Sequence, residues 1–136
     1  MKKWTLTEAF AEFGVVRKNP RWSWSAVSAD GKTVVLTIWE DRLDRSSDPP
    51  IYDTLDWPPE TWQSSHSNKE RLAHLKIARD NCDGLFRVVI TVAKDVSSRP
   101  RKIVGCYPQK NLIMRLVALQ ESTGRFRAVG IAPNAS

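Results

Sequence analysis

The sequence predicts an α+β domain, with two short helices packed on a curved, mostly antiparallel sheet of about six strands that is half-open and barrel-like. Three observations carry this. Two segments open on a capping box and continue with apolar residues at helical spacing. The other apolar segments are short, rich in β-branched residues and separated by turn residues. Those segments follow one another as hairpins instead of alternating with helices, the α+β pattern. The chain has 136 residues, the size of one domain, and 1–136 is read as such. With 41% hydrophobic and 26% charged residues, it can bury a core without disulfides or metal.

The first helix starts at Thr5-Leu6-Thr7-Glu8, where Thr5 caps and Glu8 reaches back. Leu6, Ala9, Phe10 and Phe13 share its inner face, and Gly14 stops it. A hairpin follows, with strands Trp22–Val27 and Thr33–Trp39 around the turn Asp30-Gly31. Residues 44–67 read as one long loop that holds Trp57, Trp62 and the break Trp57-Pro58-Pro59. A loop of this length in a small domain is often functional. Ser67-Asn68-Lys69-Glu70 caps a second helix whose inner stripe is Leu72, Leu75 and Cys82, with Ala78 or Arg79 filling the gap, ending at Gly84. Four strands complete the chain: Leu85–Ala93, Lys102–Tyr107, Leu112–Leu119 and Arg125–Ile131, with a turn at Ser122-Thr123-Gly124.

Charge is uneven along the chain. Residues 1–84 hold 12 Lys/Arg and 13 Asp/Glu, whereas residues 85–136 hold 9 and 2. The second part therefore carries the whole basic excess, which points to a polyanion, most simply the phosphates of DNA or RNA. Ser97-Ser98-Arg99-Pro100-Arg101-Lys102 is the densest basic group, with Lys94, Lys110, Arg115, Arg125 and Arg127 extending it. The contact set expected is Lys94, Arg99, Arg101, Lys102, Arg125 and Arg127. Arginine forks onto phosphate oxygens, and serine hydroxyls add contacts.

Six tryptophans are present. Trp22 and Trp24 share a strand face, with Trp39 at the end of the partner strand. An aromatic face beside cations suits base stacking. Trp22, with Trp57 or Trp62 from the long loop, is the stacking candidate, the two loop indoles reading equally as folded over the core, while Trp24 and Trp39 read more readily as core than as pocket. Asp41 and Asp95 are placed to accept from an exocyclic amine, as carboxylates do at cytosine N4.

Catalytic signatures are missing: the sequence has no GxSxG, P-loop, HExxH or GxGxxG. His66 and His74 have no evident partner and read as surface or helix-face residues. Cys82 and Cys106 lie outside any zinc spacing and read as free, buried thiols. No cofactor or metal is expected, and a binding module is favoured over an enzyme. No apolar run reaches the roughly 20 residues of a membrane helix, and no secretory signal is visible, so the expected place is the cytoplasm.

The series Trp22-Ser-Trp24-Ser-Ala26, Asp30-Gly31, Leu36-Thr-Ile-Trp39-Glu-Asp41, Arg71-Leu72-Ala-His74, Val92-Ala-Lys94-Asp95 and Arg99-Pro100-Arg101-Lys-Ile103 resembles small bacterial DNA-sensing domains. Those domains stand alone or beside HNH nucleases, like the N-terminal readers of modification-dependent (type IV) restriction endonucleases. The resemblance covers residues 15–105 and includes no HNH motif. It implies a reader of DNA bearing a modified cytosine, working in defence with a separate nuclease or effector. Two other readings stay open. One is a metal-dependent nuclease built on Glu40, Asp41, Asp95 and Lys94, because such enzymes hold a metal with clustered carboxylates. The other is a protein-interaction subunit of a defence or toxin–antitoxin system, because tryptophan and arginine also dominate protein interfaces.

Overall fold

The computed structural model describes residues 3–19, 23–47, 49–55, 66–97 and 102–131. Helix α1 spans Leu6–Ala11 and α2 spans His66–Asn81. The strands are β1 (Ser25–Val27), β2 (Val34–Trp39), β3 (Leu43–Asp44), β4 (Ile51–Asp53), β5 (Leu85–Ala93), β6 (Ile103–Leu119) and β7 (Phe126–Ile131). They form a single sheet in the order β1-β2-β5-β6-β7-β4-β3. Only β2 and β5 run parallel; the other five pairings are antiparallel. The fold is therefore α+β, with seven strands among the described residues where about six were expected. The sheet is not closed, and β1 and β3 are its edges.

The local signals act as the sequence dictates. Thr5 Oγ1 accepts from the Glu8 N–H at 3.1 Å, and Glu8 Oε1 accepts from the Thr5 N–H at 3.0 Å, so the first capping box is complete. Asp30 fixes the first hairpin turn by accepting from the Ser28 hydroxyl and the Lys32 N–H.

Three departures have physical causes. The segment 44–67 is not wholly a loop: Leu43–Asp44 and Ile51–Asp53 are strands. They are too short to show a period; β4 is a strand because it pairs with β7, Ile51 opposite Val129 and Tyr52 opposite Ala128, and β3 because it pairs with β4. The expected strands at 102–107 and 112–119 are one 17-residue strand. It passes Pro108 by a bulge: Arg87 pairs with Ile113 but Val89 with Pro108, so residues 109–112 stand opposite Val88 alone. A bulge is where a sheet tolerates proline. Finally, α2 begins at His66, so Ser67 is inside it and buried instead of capping it.

The sheet has to curl. Five places separate β2 from β3 in the strand order, which is about 24 Å in a flat sheet at roughly 4.8 Å per strand. Only Glu40–Arg42 joins Trp39 to Leu43, and that link reaches at most about 14 Å. The curl brings Tyr52 of β4 to β2, where its hydroxyl accepts from the Trp39 N–H at 3.1 Å.

Curling gives the sheet an inner and an outer face. The inner core joins Leu75 and Ala78 of α2 to Leu36, Ile38, Tyr52, Phe86, Ile90, Met114 and Phe126. Phe86 meets Phe126 edge-on at 6.4 Å between centroids. The outer core is smaller: Ala9 and Phe10 of α1 with Val15, Ala26, Val35, Val89 and Cys106. Each large side chain fully buried here contributes about 1.5–3 kcal/mol.

Gly124 joins the β6–β7 turn to α2. Its φ is +81°, and a Cβ there would lie 2.5 Å from Asn68 Oδ1. Gly14 has φ +75° and open space around it. Gly14→Ala should therefore cost about 1–2 kcal/mol, the left-handed penalty alone, and Gly124→Ala at least about 1 kcal/mol more. Urea unfolding of the two variants checks this, and equal losses would refute the packing of Asn68 on the turn.

Candidate nucleic-acid interface

The consecutive neighbouring strands β5, β6 and β7 contain Arg87, Lys110, Arg115 and Arg127 and no Asp or Glu. Strand alternation assigns the arginines to a face. Phe86 and Val88 belong to the inner core, so Arg87 between them points outward. Met114 and Leu116 flank Arg115 in the same way, and Phe126 and Ala128 flank Arg127. Contacts agree with the parity. The Arg87 guanidinium lies 5.2 Å from the Phe13 ring just beyond α1, and Lys110 Nζ is 2.5 Å from Glu12 Oε1. All four cations thus stand on the outer face.

Helix α1 packs over β5 and β6. Beyond it the outer face presents half-buried Ile51, Ile113, Val129 and Ile131 among Arg115 and Arg127, both exposed. Val117, at the register shift between Leu116 and Ala118, is 50% exposed. Arg127 sits 3.7 Å from Asp53. Arg115 has no carboxylate partner among the described residues. On α2 the balance differs: Lys76 and Arg79 both face Glu121, and Arg79 also pairs with Asp80. Lys69, at the start of α2, is exposed, so α2 also carries positive charge, but the cations of the sheet stand together on one face while Lys76 and Arg79 of α2 are offset by carboxylates.

The expected basic set is divided. Lys94 and Lys102 are exposed and face each other across the β5–β6 hairpin, where the Lys94 N–H donates to the Lys102 carbonyl at 2.8 Å. They lie near the start of β6, while Arg115 and Arg127 lie toward its far end. Arg125 is half-buried just before β7. Arg99 and Arg101 lie outside the described residues, as do Trp22, Trp57 and Trp62. Arg87 escaped the sequence reading because it sits inside an apolar run; its parity with Val89 is the signal that locates it.

The described pocket candidates are engaged elsewhere. Trp24 is half-buried, with Arg71 Cζ 4.9 Å from its ring centroid. The same guanidinium is 5.4 Å from the Phe126 ring and donates to Asn68 Oδ1 at 3.0 Å. Burial pushes the Arg71 pKa down to about 10. The inner stripe of α2 is thus Arg71, Leu75 and Ala78, with Leu72 only half-buried. Arg71 is a structural cation held between two rings, worth about 2 kcal/mol or more where water is excluded.

Trp39 is half-buried, and its N–H goes to Tyr52. Parallel pairing of Trp39 with Thr91 brings Glu40 and Asp41 to the same sheet end as Lys94 and Asp95. Their carboxylates do not converge on a metal. Glu40 accepts from the Tyr107 hydroxyl at 2.9 Å, Asp41 pairs with Arg42 at 3.9 Å, and Asp95 accepts from Ser97. Among the described residues no group of three His, Cys, Asp or Glu could hold a metal ion. Both cysteines are free; Cys106 is buried and Cys82 half-buried, and burial raises both thiols.

No protein-family model, curated protein or solved structure matches the chain. No helix among the described residues is long and apolar enough to cross a membrane.

His74 sits half-buried on the face of α2 toward β1. Its Nδ1 lies 2.6 Å from the hydroxyl of fully buried Ser25, fastening α2 to β1. Burial lowers the His74 pKa, opposed by Glu70 and assisted by Lys18. With the folded pKa below the usual 6.5, the unfolded chain takes up the proton first as pH falls. Stability contributed by neutral His74 is then full above pH ~6.5 and lost below it. Urea midpoints at pH 7.5 and pH 5 should show a larger drop for the native chain than for His74→Gln; equal drops would contradict this role.

Proposed function

We propose that this protein binds nucleic acid through the outer face of its sheet, with duplex DNA as the first partner to test. One observation carries the reading. Every charged residue on the neighbouring strands β5, β6 and β7 is a cation, and all four stand on the outer face. Phosphates attract such a surface regardless of sequence and release counterions on contact. Arginine supplies paired donors in fixed geometry. The ion pairs Lys110–Glu12 and Arg127–Asp53 are solvent-exposed and cost a phosphate little to displace, since such pairs are worth at most about 1 kcal/mol. The aliphatic residues between the cations can cover sugar edges without naming a base.

The finer reading, a modified cytosine held among indoles, comes from the resemblance. Its stacking residues Trp22, Trp57 and Trp62 lie outside the described residues, Trp24 is already held against Arg71, and Trp39 is half-buried. Phosphate contact therefore has the support of the geometry, while base reading depends on those three indoles.

Fluorescence anisotropy with labelled duplexes, cytosine-methylated and unmethylated, across a salt series provides the test. The native chain should bind at low salt with log K falling linearly in log salt. Arg115→Ala with Arg127→Ala should weaken binding to all sequences alike, at least about tenfold, and reduce the salt slope by about one per arginine. A preference for the methylated duplex that Trp22→Ala removes would establish base reading. No binding at low salt would exclude the proposal.

A further inference from the structure

Beside the outer face lies a cleft of about 580 Å³ at the starts of β2 and β5, a volume within the range of small-molecule sites. Its apolar walls are Phe13, Leu85 and Ile113. Leu85 pairs with Arg115 across the β5–β6 ladder, so the cleft is continuous with the basic face. Lys32, Arg87 and Lys110 bring three cations to it, and Glu12 and Asp83 two carboxylates, of which Glu12 is held by Lys110.

Arg87 is the best-placed group in it. Phe13 backs its guanidinium, and Nη2 donates to the Lys110 carbonyl at 2.6 Å. The side chain as a whole is only half-buried, which leaves the outer part of the guanidinium open to the cleft.

We propose that this cleft is a nucleotide subsite. The base lies against Phe13, Leu85 and Ile113 beside the Arg87 guanidinium, as unpaired bases lie on aromatic rings and arginine planes. The phosphate meets Lys32 and Lys110, and the Asp83 carboxylate is available to an exocyclic amine. Each chemical part of a nucleotide thereby finds its counterpart: a flat apolar body, an anion and an amine. The subsite rests on the reading of the outer face as a nucleic-acid surface, which would deliver an unpaired nucleotide to it.

The test titrates the isotope-labelled full chain with deoxycytidine and deoxyadenosine monophosphates, followed by amide chemical shifts. Saturable shifts should centre on Phe13, Leu85, Arg87 and Ile113. Arg87→Gln should weaken mononucleotide binding at least about tenfold, the loss expected for one charge-assisted hydrogen bond. Arg79→Ala, on α2 outside the cleft, should leave it unchanged. The native-chain shifts decide the matter even if Arg87→Gln folds poorly. Deoxycytidine without phosphate binding as tightly as its monophosphate would overturn the assignment. So would the absence of saturable shifts at millimolar nucleotide. In that case salt-dependent duplex binding would show that the subsite alone fails. Loss of duplex binding with mononucleotide binding intact would instead strike the broader proposal and leave the subsite standing.

Discussion

Three residues decide the shape of this molecule. Glu40–Arg42 must carry the chain from β2, near one edge of the sheet, to β3 at the other. A flat sheet would put those strands farther apart than the link can reach. The sheet is therefore curled, and α2 occupies its inside. Arg71 then touches both Trp24, ahead of β1, and Phe126 on β7. The Tyr52 hydroxyl and the Trp39 N–H close the same gap from the side of the sheet. A cation in this core is tolerable because two rings and Asn68 take the place of water around it.

Curling also decides where charge can stand. The inner face is filled by α2 and large side chains, so charges on β5–β7 alternate to the outside. Helix α1, at six residues, covers only part of that outside. The uneven charge along the chain thus becomes a surface, with cations spaced by strand geometry instead of gathered in a tail. The lysines of the β5–β6 hairpin form a second basic group toward the other end of β6. A long nucleic acid could touch both, whereas a short one would meet only the face with Arg115 and Arg127.

Much of this was legible beforehand. Thr5 and Glu8, the Asp30-Gly31 turn and the alternation through Val34–Trp39 announce their elements, because each depends on neighbours in sequence. The short strands at Leu43–Asp44 and Ile51–Asp53 could not be read, since only pairing across the sheet makes them strands. Pro108 suggested a break that the bulge absorbs. Arg71 was hidden because a charge at a core position of a helix is stabilised by Trp24 and Phe126, 47 and 55 positions away. The site followed the same rule. The basic excess was visible as composition, but its separation into a hairpin group and a strand-face group follows from the register of β6, which no local pattern encodes.

Arginine-selective dicarbonyl labelling, read by mass spectrometry with and without saturating duplex DNA, tests the central claim most directly. Binding through the outer face predicts strong protection of Arg115 and Arg127, with Arg79 on α2 and Arg42 at the β2–β3 link labelled as before. Protection of Arg79 with Arg115 and Arg127 still reactive would contradict the account.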